Sequence, residues 1–110
     1  MIDWARINEL RSEIGEGDFL EVVAMFLEET DGVVVQLAGP PNLDAVEDRL
    51  HFLKGSALNL GLTDLARLCQ NGEKSAASGD AASVDLQAVT DSYCTAKTEL
   101  LASLGLSAVA

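Results

Sequence analysis

Residues 43–60 read LDAVEDRLHFLKGSALNL, and the spacing of apolar side chains in this stretch decides the fold class. Val46, Leu50, Leu53, Ala57 and Leu60 recur at steps of four and three, which puts them on one side of an α-helix and leaves the other side polar. Asn42 or Asp44 is suited to cap the start, and Asp44 and Glu47 have capping-box spacing. Gly61 is suited to a left-handed stop. A helix with one apolar stripe needs neighbours to cover it.

Those neighbours are found by working outward. Upstream, residues 18–38 carry Phe19, Val23, Phe26, Thr30, Val33 and Leu37 at alternating steps of four and three, and Leu20, Leu27 and Val34 widen this seam. Gly39-Pro40-Pro41 should end that helix, because proline lacks the backbone donor and clashes with the preceding turn. A shorter segment, 3–14, carries Ile7, Leu10 and Ile14 and reads as a capping helix. Downstream, residues 62–78 should bury Leu65, Leu68, Cys69 and Ala76, and residues 81–104 should bury Leu86, Val89, Tyr93, Ala96, Leu100 and Leu104. Strand-like alternation is absent, and the remaining glycines cluster at the joints. The pattern predicts an all-α fold, an antiparallel four-helix bundle with a short additional N-terminal helix. Its short loops leave no room for a second unit, so residues 1–110 are expected to form a single domain.

Composition narrows the function. No run approaches the roughly 18 apolar residues of a membrane span, and Met1-Ile2-Asp3-Trp4 does not begin a signal peptide. A cytoplasmic protein with no membrane association is expected. In that setting Cys69 and Cys94 read as buried, reduced thiols, and one histidine with two scattered cysteines offers no zinc spacing. The net charge of −11 would repel a phosphate backbone, so nucleic acid is excluded as a partner. The acidity itself reads as a solubility feature.

The candidate chemistry lies on the polar side of residues 43–60. His51 is the only histidine, and it stands about 100° round the helix from Leu50, so its imidazole should face solvent. Steps of three and four from it reach Asp44, Glu47, Asp48, Lys54, Gly55 and Leu58, which form one surface patch. An exposed histidine alone is usually incidental. However, glycine within a helix costs roughly 0.5–1 kcal/mol relative to alanine, and close approach of another molecule beside His51 would offset the cost of Gly55. Lys54, one turn along, could pair with a phosphate on the imidazole as a point charge; its plainer role is an ion pair with Asp48 or Glu47. Asp44 and Glu47 suit the helix dipole. One of the three carboxylates could instead favour a proton on Nδ1 and leave Nε2 as the nucleophile, and for Asp48 both roles stay open.

The run His51-Phe52-Leu53-Lys54-Gly55-Ser56-Ala57, followed by Leu60-Gly61, Leu65, Cys69 and Glu73, resembles the signature of histidine-containing phosphotransfer domains of bacterial two-component phosphorelays. The order and spacing agree over 23 positions, and Phe26-Leu27-Glu28 is similar to the preceding helix of that family. Gly72 departs from it, since the family usually has a larger apolar residue there. Alanine at Gly72 is expected to stabilise by up to about 1 kcal/mol if the helix continues and no backbone packs against it.

The resemblance implies a phosphorelay intermediate that carries a phosphoryl group on Nε2 of His51 between aspartates of receiver domains. Lys54 would be the phosphate-side cation and Gly55 the clearance for the incoming partner, with Asp48 and Leu58 on the same docking face. The implied partners are response-regulator receiver domains and a hybrid histidine kinase. No cofactor of its own is implied, magnesium belonging to the receiver, and no ATP-dependent kinase activity is expected from a chain without a nucleotide loop. A closed bundle suits a monomer. The competing readings are a non-catalytic helical docking module, against which the intact His51, Lys54 and Gly55 set argues, and a dimerising histidine-kinase fragment, which would need an ATP-binding domain.

Overall fold

The computed structural model describes residues 2–39 and 42–105. Five α-helices follow in order: α1 (Trp4–Ile14), α2 (Glu16–Ala38), α3 (Val46–Asn59), α4 (Thr63–Ala77) and α5 (Leu86–Ser103), with 3-10 turns at Leu43–Ala45 and Ala81–Ser83. The most extensive packing is between α3 and α4; α4 also packs on α5, α2 packs on both α3 and α5 to close the ring, and α1 lies on α2. This is the expected four-helix bundle with its N-terminal helix. Pro40 and Pro41 lie outside the described residues, but α2 stops at Ala38 as the sequence requires.

The seam of residues 43–60 faces inward: Val46, Leu50, Leu53, Ala57 and Leu60 are all buried. They meet Phe19 and Val23 of α2, Leu65 and Cys69 of α4, and Val89, Tyr93 and Leu100 of α5 in one continuous core. Phe26, Val33, Leu68, Ala76, Leu86, Ala96 and Leu104 are only half-buried and pack on its rim. Burial pushes the Cys69 thiol up to about 12, so it stays protonated in the core. Cys94 departs from expectation and is exposed. It follows Tyr93, and the helical rotation of about 100° per residue carries it off the buried stripe.

Two helix starts differ in detail from the sequence pattern. The chain at 43–45 winds as a 3-10 turn, with the Ala45 amide donating to the Asn42 carbonyl at 3.0 Å. Ala45 therefore precedes α3, and neither the Asn42 nor the Asp44 side chain caps it; the capping box does not form. Glu47 and Asp48 instead occupy the first turn, where negative charge suits the dipole. Helix α5 begins at Leu86 rather than near residue 81, because the Asp85 side chain accepts the Ala88 amide at 3.0 Å and fixes the N-terminus there.

Gly61 does end α3 in the left-handed region, with φ +69°. The Leu62 amide reaches back to the Ala57 carbonyl at 2.8 Å and the Gly61 amide to Leu58 at 3.3 Å, the paired bonds of a Schellman closure. The N-terminal segment lies on this turn: the Asp3 amide donates to the Gly61 carbonyl at 2.6 Å, and Arg6 Nε donates to the Asn59 carbonyl at 3.1 Å. A side chain at position 61 would meet the Asp3 carbonyl oxygen at 2.8 Å.

Gly72 is buried within α4, and the space a methyl group would need is already filled. A Cβ there would lie 2.7 Å from Leu50 Cδ1 and 3.0 Å from Val84 Cγ1. Side chains rather than backbone close the site, so alanine there must displace Leu50 and Val84, which opposes the stabilisation expected from helix propensity.

Candidate phosphoryl-acceptor site

Because α3 and α4 run antiparallel about the turn at 60–62, residues equally far from Leu62 on either side come opposite each other. His51 and Glu73 each lie eleven residues from it, and Lys54 and Gln70 each lie eight. These four side chains form one connected row across the two helices. His51 Nδ1 is 2.8 Å from Glu73 Oε2. Lys54 Nζ is 2.8 Å from Glu73 Oε1 and donates to Gln70 Oε1 at 3.0 Å.

The row is graded in exposure. The His51 side chain is 69% exposed, whereas Lys54 and Glu73 are 21% and 18% exposed. The hydrogen bond from Lys54 holds the Glu73 carboxyl below the usual glutamate range; partial burial opposes this, and the His51 contact adds to the lowering. Glu73 is therefore charged near neutral pH. A carboxylate can only accept, so the 2.8 Å contact requires the hydrogen to be on Nδ1. In the neutral ring the lone pair is then on Nε2, which makes no hydrogen bond among the described residues.

The carboxylate that sets the tautomer is thus Glu73 of α4. It is none of Asp44, Glu47 and Asp48, the candidates on α3, which are exposed and do not bond His51. Lys54 likewise pairs with Glu73 in place of Asp48 or Glu47. Asp48, in the first turn of α3, is placed for the dipole role.

Gly55 is exposed, and a Cβ built on it would meet nothing within 4 Å. Leu58 and Phe52 stand exposed on the same helix. Beside Ser56 a cleft of about 320 Å³ opens between α1, α2 and α3, lined by Arg6, Leu10, Val22, Met25 and Phe26 among others. His51, Lys54, Gly55 and Leu58 therefore share one face as read from the sequence. Gln70, and the roles of Glu73, Phe52 and the cleft, were not read there; the mirror spacing about Leu62 is the signal that would have revealed the first two.

The site is that of an all-α helical bundle presenting a solvent-facing histidine whose Nδ1 is held by a carboxylate. The family described as the Hpt domain matches residues 21–109, and the chain belongs to it. Over 75 residues the chain is 35% identical to the phosphorelay intermediate protein YPD1 of Candida albicans, covering 64% of this chain and 41% of that protein. The chain thus spans about two-fifths of that relative's length. No solved structure gives a match. No helix among the described residues is long and apolar enough to cross a membrane.

Proposed function

We propose that this chain is a phosphorelay intermediate: His51 accepts a phosphoryl group from the phospho-aspartyl group of one receiver domain and transfers it to another. The observation that carries this reading is the exposed Nε2 of His51 opposite an Nδ1 locked to Glu73. The Nε2 lone pair attacks phosphorus, and the phosphorus–oxygen bond of the acyl phosphate breaks with its electrons going to the aspartate carboxylate. Phosphoryl transfer demands chiefly positioning and charge neutralisation. Lys54 Nζ is paired with Glu73 and donates to Gln70, and an ammonium with three donors would offer a further one to a phosphoryl oxygen. The receiver supplies the aspartate and magnesium.

A partner that brings an aspartate to Nε2 must cover the surrounding surface, and the open space over Gly55 admits it. Leu58, Phe52 and the cleft beside Ser56 offer apolar contact, and Asp48, exposed one turn before His51, offers a charge. Response-regulator receivers and an upstream hybrid histidine kinase are the partners this role requires. The chain acts as a cytoplasmic, monomeric carrier without kinase activity of its own.

The test is a transfer screen with phosphorylated receivers beside His51→Gln. The wild type should acquire an acid-labile, base-stable label and none from ATP and magnesium alone. His51→Gln should stay helical and melt cooperatively without label, because the imidazole lies outside the core. Label retained in His51→Gln, or mapped to Asp or Ser, overturns the assignment.

A further inference from the structure

We infer that Glu73, held by Lys54, keeps the Nδ1 proton on the phosphorylated ring, so that His51 releases its phosphoryl group as neutral imidazole and donates as readily as it accepts. This rests on the relay function proposed above and concerns the return step. When Nε2 bonds to phosphorus, the ring that retains its Nδ1 hydrogen becomes cationic. Onward transfer breaks the Nε2–phosphorus bond and returns the electron pair to Nε2. With the Nδ1 hydrogen in place the leaving group is a neutral imidazole; without it the leaving group is an imidazolide anion, and transfer is slow. No proton has to move in either direction if the same hydrogen stays on Nδ1 throughout.

The geometry provides for this. Glu73 Oε2 is 2.8 Å from Nδ1, close enough for an opposite charge to favour the cationic ring. Its other oxygen is tied to Lys54 at 2.8 Å, and Lys54 is tied to Gln70, so the carboxylate has its charge and its aim fixed from behind. The lowered protonation range of Glu73 accords with this. A neutral glutamine could accept the same hydrogen bond but would not favour the cation. The other charged groups near the ring are Glu47 and Asp48 one turn before it and Lys54 one turn after on α3, and exposed Lys74 beside Glu73 on α4. No group of α2 makes a hydrogen bond or ion pair with His51 among the described residues.

The experiment compares wild type, Glu73→Gln and Glu73→Asp, each phosphorylated at His51. Nitrogen NMR follows the titration of the phosphorylated ring, and onward transfer to a receiver is timed between about pH 5 and 9. Glu73→Gln should lower the ring titration by about one unit, lengthen the phosphohistidine lifetime and slow transfer about tenfold at neutral pH. The rate difference should vanish at the acid end, where both rings are protonated. Glu73→Asp, which keeps the charge, should titrate close to wild type. Unchanged titration and rate in Glu73→Gln overturn the inference, as does slowing that persists at low pH, since that marks a purely structural role. Failure of the wild type to take label would instead refute the relay function itself.

Discussion

Replacing Gly72 by alanine sets two known effects against each other at one buried position. Removing glycine from the interior of α4 favours the helix by about 1 kcal/mol. The added methyl, however, would be placed 2.7 Å from Leu50 Cδ1 and 3.0 Å from Val84 Cγ1. Leu50 is fully buried, and Val84 is stiff at its branched Cβ. Overpacking of this kind costs about 1–3 kcal/mol. With a middle value near 2, the net result is a loss of about 1 kcal/mol and a Tm lower by roughly 4 °C for a chain this size. Urea unfolding should give a lower midpoint at unchanged slope, beside calorimetry for Tm. A cycle with Val84→Ala locates the effect: truncating Val84 should cost at least about 0.5 kcal/mol less with alanine at 72 than with glycine. An unchanged or raised Tm would show that Leu50 and Val84 yield freely, and would refute the account of this contact.

Lys54→Ala should keep the native fold and give slower phosphoryl transfer or a shorter-lived phosphohistidine, because both Glu73 and the phosphoryl group lose a cation; stopped-flow transfer against a receiver checks this, and wild-type rates would reduce Lys54 to a structural ion pair. Gly55→Gln should keep full helicity, lose receiver affinity by calorimetry and still react with small-molecule phosphodonors, since a side chain there meets no atom of this chain; unchanged affinity and transfer would remove the steric role. Glu73 is more acidic folded than unfolded, so its contribution to stability is present above the ordinary glutamate value of about 4.3 and is lost as pH falls through its lower folded value. The stability advantage of wild type over Glu73→Gln, from urea midpoints, should accordingly be present at about pH 5 and shrink below about 4.

The helices and the histidine were legible because their signals are local. The seam from Val46 to Leu60 repeats within one helix, and His51 departs from it within one residue. The identity of its partner was not legible in this way. Counting by three and four along α3 reaches Asp48 and Glu47, whereas Glu73 reaches Nδ1 only once the register of two helices is set by the turn at Gly61. The same limit applies at Gly72, where helix propensity favours alanine but contacts with Leu50 and with Val84, from beyond the second 3-10 turn, oppose it. Two expectations fail for other reasons: the usual place of cysteine in cores puts Cys94 inside although it lies one residue off the Tyr93 stripe, and the apolar spacing of residues 81–104 hides the Asp85 cap that starts α5 later. The capping box at Asp44 and Glu47 failed because the 3-10 turn at 43–45 displaces the helix start.

The tight turn between α3 and α4 has a further consequence for how the protein folds and fluctuates. His51, Lys54, Gln70 and Glu73 all belong to one helical hairpin, joined by the few residues from Leu60 to Leu62. Closing so short a loop costs little entropy, and contacts close in sequence form early. The acceptor geometry is therefore expected to arise in the first part of the chain to become ordered, before α1 is fastened over Gly61. In the folded protein the same arrangement separates the reactive pair from partial opening elsewhere: amides of α1 should exchange with solvent through local release of the Asp3 and Arg6 bonds while those along α3 and α4 stay protected. A carrier that must meet successive partners can thus loosen at its N-terminal edge without changing the distance between imidazole and carboxylate.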